Sequence, residues 1–196
     1  MTVTVRLRLQ PRVFAQSFFL TTGLVLLGYA AFNVAARYVY QAYEVLVFDQ
    51  ALARPPAAPH SAAAPGRSLV GKIDIPRLNI SAIVKEGVDA RTLDVAVGHI
   101  PHTALPGQTG NVGVAAHRDT LFRNLKDVKH NDKITLTTLD GDYVYRVVST
   151  KIVQPSDVSV LDPSPGEKTL TLVTCYPFYF VGNAPKRFIV RAQQVF

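Results

Sequence analysis

The chain combines two hydropathy patterns, an unbroken apolar stretch near the N-terminus and alternating apolar and polar positions after residue 66. No charged residue occurs from Val13 to Ala36, a run of 24 positions. A helix of that length extends about 36 Å, whereas the hydrocarbon core of a bilayer is about 30 Å thick. The first pattern therefore predicts one membrane-spanning helix over residues 13–36.

Two other interpretations of the apolar stretch fit less well. The hydrophobic region of a cleaved signal peptide has only about 7–15 residues, although Ala30, Ala31, Ala35 and Ala36 keep cleavage open. A soluble helix that is apolar all round belongs in the core of a large protein, not in a small domain. We therefore expect the stretch to be a membrane anchor.

The charges around the span predict its orientation. Three arginines and no acidic residue precede it within residues 1–12, and the positive flank of a span stays in the cytoplasm. We therefore expect residues 1–12 in the cytoplasm and the remainder of the chain outside it. A juxtamembrane segment and a Pro/Ala-rich linker are expected over 37–66, before a folded domain over 67–196.

Residues 67–196 favour short strands separated by turns. A two-residue period predicts strands at the segments GKIDI, NISAIVKEG, NVGVAAH, KITLTTL, YVYRVVSTKIV, KTLTLVTC and RFIVRAQQV. Asp140-Gly141 is a hairpin signal between two of these segments. Only Asp89–Val95 and Thr120–Leu125 favour helices, and both are short. We expect a mainly β domain that closes into a barrel, because closure removes unpaired strand edges.

The basic character of the chain raises nucleic acid as a partner, and the distribution of charge argues against it. The net charge is +7 and the pI is about 9.7. Five basic and two acidic residues lie in 1–65, against 16 basic and 12 acidic residues in 66–196. No run of Lys and Arg interleaves with aromatic residues, so we expect no nucleic-acid partner.

Three residues that support nucleophilic chemistry fall at strand ends. In the strand that reaches Cys175, Leu170 and Leu172 point to the core, so Cys175 lies on the opposite and more polar face. His117 ends another strand, where small residues leave space beside its ring. Arg187 begins a third strand, on its outward face. A rigid scaffold presents a site in this way.

From the sequence alone, purely structural roles for Cys175, His117 and Arg187 remain open. A lone cysteine is commonly a small buried apolar residue, and an arginine is commonly a solvated charge. His99 and His102 lie in a turn-rich stretch and His130 lies in a solvated turn, so His117 is the preferred histidine. The single cysteine excludes an intramolecular disulfide and a multi-cysteine metal site. We predict no metal and no cofactor.

Three segments resemble the sortase family of cysteine transpeptidases. TLVTC at Thr171–Cys175 is similar to the TLxTC signature of that family. AAHRD at Ala115–Asp119 resembles its histidine segment, and KRFIVRA at Lys186–Ala192 its arginine strand. The similarity spans residues 68–196, and GHIPHTALPGQTGN and CYPFYFVGNAPKRF look most like the class D branch. The resemblance implies a closed sortase-type β-barrel of about eight strands with short helices, preceded here by one transmembrane helix.

The resemblance also implies an activity and roles for the site residues. Such enzymes cleave an LPxTG-like sorting signal through a thioacyl-enzyme intermediate and transfer the acyl group to an amine of the cell envelope. Cys175 would be the nucleophile, His117 the general acid and base, and Arg187 the group that stabilises the oxyanion or the bound peptide. Thr174 and Tyr176 are expected to contact the substrate.

The implied partners are secreted proteins that carry a C-terminal sorting motif and an amine acceptor in the envelope. The implied location is the cell membrane, crossed once. One alternative is a catalytically silent envelope domain that binds sorting peptides. A second is a serine-based membrane peptidase, but the sequence contains neither a GxSxG nor a Ser-Lys motif. The proline-containing segment Pro155–Gly166 resembles by position the family loop that shapes the peptide groove.

Overall fold

A computed structural model describes residues 11–53 and 69–195 of the chain. Residues 1–10 of the predicted cytoplasmic segment and residues 54–66 of the predicted linker lie outside the described residues. The chain separates into two compact units, Met1–Val39 and Tyr40–Phe196.

The first unit consists of the beginning of helix α1, which runs from Pro11 to Leu52. As far as Val39, the apolar side chains of the helix are exposed around its circumference, and Leu24 and Phe32 are 75% and 70% exposed. The helix is long and apolar enough to cross a membrane. The predicted apolar N-terminal helix is therefore confirmed, and the helix continues well beyond the predicted span at 13–36.

The second unit contains a closed barrel of eight strands, as predicted. The strands are β1 (Leu69–Ile75), β2 (Ile80–Glu86), β3 (Val97–His99), β4 (Gly110–Ala115), β5 (Lys133–Thr138), β6 (Gly141–Val153), β7 (Lys168–Tyr176) and β8 (Lys186–Gln194). Their order around the barrel is β1-β2-β3-β4-β7-β8-β6-β5. The β2–β3 and β4–β7 pairs are parallel, and the other pairs are antiparallel.

The two-residue period explains the core of the barrel. Leu170 and Leu172 of β7 are fully buried, and Val112 and Val114 of β4 are 1% exposed. These residues alternate along neighbouring strands and meet inside the barrel, which leaves the intervening residues on its outer surface. The predicted core faces of β4 and β7 agree with this arrangement.

The sequence patterns predicted the position or type of three elements only in part. Strand β3 falls in the stretch interpreted as turn-rich, because three residues are too few to show a period. The predicted helix Asp89–Val95 is present as α2 (Ala90–Val95), with Asp89 as its N-cap. The second predicted helix, Thr120–Leu125, is instead a 3₁₀ helix over Arg123–Asp127. The β5–β6 hairpin forms at the predicted place, with Thr138 opposite Gly141.

The C-terminal part of α1, from Tyr40 onward, packs against the barrel. Phe48 is fully buried. The Ile83 N–H donates a 3.1 Å hydrogen bond to Gln41 Oε1, and Gln41 Nε2 donates to the Val95 carbonyl. Because Val95 ends α2, one glutamine joins α1 to both β2 and α2. The compact unit that carries the barrel thus begins at Tyr40, within the predicted juxtamembrane segment and before the predicted domain start at 67.

An ion pair secures the segment that follows the short 3₁₀ helix. Arg77 donates to both carboxylate oxygens of Asp132, and its Nη2 also donates to the Asp127 carbonyl at 2.6 Å. The Asp132 side chain is only 6% exposed. The hydrogen bond from Arg77 holds the pKa of Asp132 below its usual range, although burial opposes this effect. The end of the 3₁₀ helix is therefore fixed to the barrel.

Candidate active site

The histidine, the cysteine and the arginine singled out in the sequence lie at the ends of three adjacent strands. Cys175 of β7 is directly opposite Arg187 of β8 in the antiparallel register. On the other side, β4 runs parallel to β7 and Ala115 is level with Val173. His117 lies two residues beyond Ala115, as Cys175 lies two residues beyond Val173. Since neighbouring strands are about 4.8 Å apart, the three residues form one short row across the sheet.

Other segments of the chain cover most of the polar face of this sheet, up to the row of His117, Cys175 and Arg187. Asn111 Nδ2 donates to the carbonyls of Val160 and Asp162, at 3.1 and 3.3 Å. These carbonyls belong to the segment between β6 and β7, which resembles by position the groove-shaping loop. A Cβ atom on Gly113 would lie 3.0 Å from Thr103 Cγ2. Small residues on β4 therefore admit the covering segments, and do not simply leave space as the sequence suggested.

Cys175 is a half-buried free thiol on this face. The preceding residue, Thr174, is 2% exposed and donates a 2.7 Å hydrogen bond to the Ala116 carbonyl. That bond ties β7 to the β4 segment immediately beside the thiol. The Thr174 side chain is therefore buried and hydrogen-bonded within the protein. This geometry does not support the expected contact between Thr174 and the substrate.

Tyr176 belongs to an aromatic cluster next to the thiol. Its ring stacks on Phe188 at 6.4 Å between centroids, and Phe178 meets both rings edge-on at 6.1 and 5.3 Å. Tyr176 is half-buried, which leaves part of the ring accessible. Phe178 and Phe188 also pack against the hydrophobic core. The cluster therefore closes this end of the barrel on the face opposite Cys175 and Arg187.

His117 has a carboxylate neighbour that the sequence analysis missed. Its Nε2 atom is 3.9 Å from Asp94 Oδ1, and the two side chains are 41% and 61% exposed. Asp94 lies on α2, the helix joined to α1 through Gln41. An exposed pair at this distance contributes little to stability. No local signal marks Asp94, because the contact depends on where α2 packs.

The Arg187 guanidinium is held by its own loop. Nη1 donates to the carbonyls of Ala184 and Lys186, at 3.2 and 3.0 Å. The Arg187 backbone is paired with that of Cys175 across the sheet, and these bonds hold its guanidinium beside the start of β8. A guanidinium keeps its charge at every working pH and presents several donors in one plane.

The other histidine that the structure brings into prominence has a structural role. His99 of β3 is 2% exposed, and its Nδ1 lies 2.7 Å from Glu86 Oε2. Its Nε2 lies 3.0 Å from the Ala104 carbonyl. Thr103 Oγ1, 3.1 Å from the same ring nitrogen, also accepts from the Gly113 N–H. His99 therefore anchors the loop after β3 to β4. It is a buried strand residue, not part of a turn.

No metal-binding cluster accompanies the row. Within residues 11–53 and 69–195, no group of three or more His, Cys, Asp or Glu side chains could hold a metal ion. What the arrangement offers is a thiol flanked by an imidazole and a fixed cation. Such a set can form and resolve a thioester.

Comparison with known proteins identifies the same fold and sequence pattern. The sortase domain family matches residues 73–195. Sortase D of Bacillus subtilis is 38% identical over 125 residues, which cover 64% of this chain and 63% of that protein. Sortase SrtE1 of Streptomyces coelicolor is 35% identical over 123 residues, covering 54% of this chain and 35% of that protein. The match thus spans less than two thirds of either relative.

Solved structures agree. A Clostridium perfringens sortase D5 transpeptidase superposes with a TM-score of 0.60 and 32% identity, covering 65% of this chain and 79% of that one. Sortase A from Corynebacterium diphtheriae gives a TM-score of 0.62 and 28% identity, covering 83% and 85%. The predicted resemblance is confirmed by sequence and by fold: this chain belongs to the sortase family.

Proposed function

We propose that the protein is a membrane-anchored cysteine transpeptidase that cleaves an LPxTG-like sorting signal and transfers the acyl part to an amine. The observation that carries this proposal is the row of His117, Cys175 and Arg187 on adjacent strands of a sortase barrel. A nucleophile, a proton carrier and a fixed cation in one row are the components that acyl transfer requires.

In the first half-reaction, the Cys175 thiolate attacks the carbonyl carbon of the threonine in the sorting signal. The tetrahedral oxyanion collapses, the C–N bond breaks, and His117 gives its proton to the departing amine. The acyl group remains on the Cys175 sulfur as a thioester. In the second half-reaction His117 accepts a proton from the incoming amine, which attacks the thioester and releases the thiolate.

Arg187 supports both half-reactions by its charge. Negative charge develops on the carbonyl oxygen each time a tetrahedral intermediate forms, and a fixed donor near that oxygen lowers the barrier. The loop carbonyls that hold Arg187 limit its reorientation, so little of the stabilisation is spent on ordering the side chain.

The apolar part of α1 supports a single-pass anchor, with residues 1–12 in the cytoplasm and the barrel outside. This orientation would place the row where secreted proteins with a C-terminal sorting motif emerge. The amine acceptor would then be a component of the cell envelope. The sites of both partners would lie on the same side of the membrane.

The proposal is tested by mass spectrometry of the full chain in detergent, mixed with peptides that carry LPxTG-like motifs. We expect a mass increase equal to the N-terminal part of the peptide, located on Cys175, and its loss when an amine is added. Binding of the peptide without any mass increase would contradict the proposal and favour the alternative, a catalytically silent domain that binds sorting peptides.

Replacing Arg187 by lysine tests the third member of the row. The substitution keeps the charge and loses the planar fork, so we expect transpeptidation to fall about 10²–10³-fold. Alkylation of Cys175 by a thiol reagent is the control, and it should proceed at the wild-type rate. Near-full activity in this variant would show that Arg187 is only a surface charge.

A further inference from the structure

A small cationic pocket lies beside the catalytic row. It has a volume of about 140 Å³ and is lined by Arg118, Asp119, Arg123, Lys126, Phe178 and Tyr179. The first two of these residues directly follow His117, and the last two follow Cys175 by three and four positions. The pocket therefore lies where the chain leaves the catalytic ends of β4 and β7.

The charges that line the pocket are predominantly positive. Arg118, Arg123 and Lys126 face one carboxylate, that of Asp119. Lys126 is paired with Asp127, whose hydrogen bond raises the pKa of Lys126, while the charge of nearby Arg123 opposes that rise. Within the described residues, neither Arg118 nor Arg123 forms an ion pair. Two arginines are therefore available to an anion, with only Asp119 opposing them.

The Arg118 guanidinium is fixed in place with a donor unused. Its Nη2 donates to the carbonyls of Phe180 and Gly182, at 2.6 and 3.1 Å. Its Nη1 is buried and has no hydrogen-bond partner in the described part of the chain. A buried donor without a partner is unfavourable, and a planar guanidinium suits a carboxylate. Phe178 and Tyr179 contribute the aromatic part of the pocket lining.

We infer that this pocket binds a carboxylate carried by the amine acceptor, so that the enzyme selects acceptors with both an amine and a carboxylate. The inference rests on the proposed function. During acyl transfer the acyl side of the scissile bond stays on Cys175, whereas the departing and incoming amines meet His117. Arg118 is the residue after His117, so its pocket adjoins the amine side. The carboxylate of the acceptor would orient its amine toward the thioester.

The test uses two acceptors that differ only in charge, glycylglycine and glycylglycinamide. With the full chain in detergent and a saturating sorting peptide, we expect the KM for glycylglycine to be several-fold lower. Replacing Arg123 by glutamine should remove most of that difference. Arg123 is exposed, so this variant is expected to fold even if Arg118→Gln does not. Lys133→Gln, which removes an exposed charge from β5, is the matched control and should retain the difference.

Two further measurements separate the possible outcomes. Hydrolysis without acceptor is compared for sorting peptides with Glu or Gln before the threonine. An Arg123-dependent preference for Glu would assign the anion to the sorting peptide and overturn the inference. Equal KM values for the two acceptors would also overturn it. Binding of glycylglycine to Cys175→Ala protein, followed by NMR, requires no chemistry. If wild-type protein forms no thioester with any sorting peptide while Cys175→Ala protein still binds glycylglycine in an Arg123-dependent way, the proposed function fails and the pocket stands.

Discussion

Replacing Cys175 by alanine is expected to abolish cleavage of the sorting peptide, with a fall in kcat of more than about 10⁴-fold. Covalent catalysis through a thioester requires the sulfur, and the sequence contains no second cysteine to replace it. The side chain is half-buried at the end of β7, so its truncation should change the free energy of unfolding by less than about 1 kcal/mol. Peptide cleavage followed by chromatography measures the loss.

Two controls make this result specific to the nucleophile. The affinity for a labelled sorting peptide, measured by fluorescence anisotropy, should stay within a few-fold of wild type, because the groove remains intact. The thermal unfolding midpoint should also be retained. Cleavage by the alanine variant at a substantial fraction of the wild-type rate would mean that another residue attacks the peptide, and the proposed mechanism would fail.

Replacing His117 by alanine is expected to lower kcat/KM for the sorting peptide about 10²–10⁴-fold, because no group then protonates the departing amine. His130→Ala is the matched control, since His130 is an exposed histidine remote in sequence from the row, and we expect wild-type rates. A stopped assay of product amine measures both variants.

The leaving group provides a sharper test of the same role. A peptide p-nitrophenyl ester releases an anion that needs no proton, so acylation by His117→Ala should recover most of its rate with this substrate. Transfer of the acyl group to an amine should stay slow, because the incoming amine still needs a base. An equal deficit with the amide and the ester would indicate that His117 only supports the shape of the site.

The sequence is sufficient to identify the parts of the site because local chemistry controls them. Leu170 and Leu172 alternate with polar residues, and the hydrophobic effect alone directs them inward and turns Cys175 outward. The same reasoning locates His117 and Arg187 at strand ends. The absence of charge from Val13 to Ala36 likewise predicts an apolar helix without any knowledge of the barrel.

The arrangement of those parts depends on pairing between distant segments. The alignment of His117 with Cys175 follows from the parallel register of β4 and β7. That register forms only when eight strands close into one barrel. No periodicity specifies which strand pairs with which, because every strand offers the same backbone donors and acceptors. The order His, Cys, Arg across the sheet is therefore a property of the closed barrel.

The residues missed by sequence analysis share the same dependence. Asp94 approaches His117 because α2 packs beside the row, and Phe48 is buried because the end of α1 packs against the barrel. Arg118 and Arg123 line one pocket because a turn after β4 meets a loop after β7. Hydrophobic and polar patterning determined the apolar helix, the strands and the outward face of Cys175, the proposed nucleophile of this protein. Only the tertiary structure decided which charges surround that nucleophile, since long-range packing, not local preference, sets the distances between them.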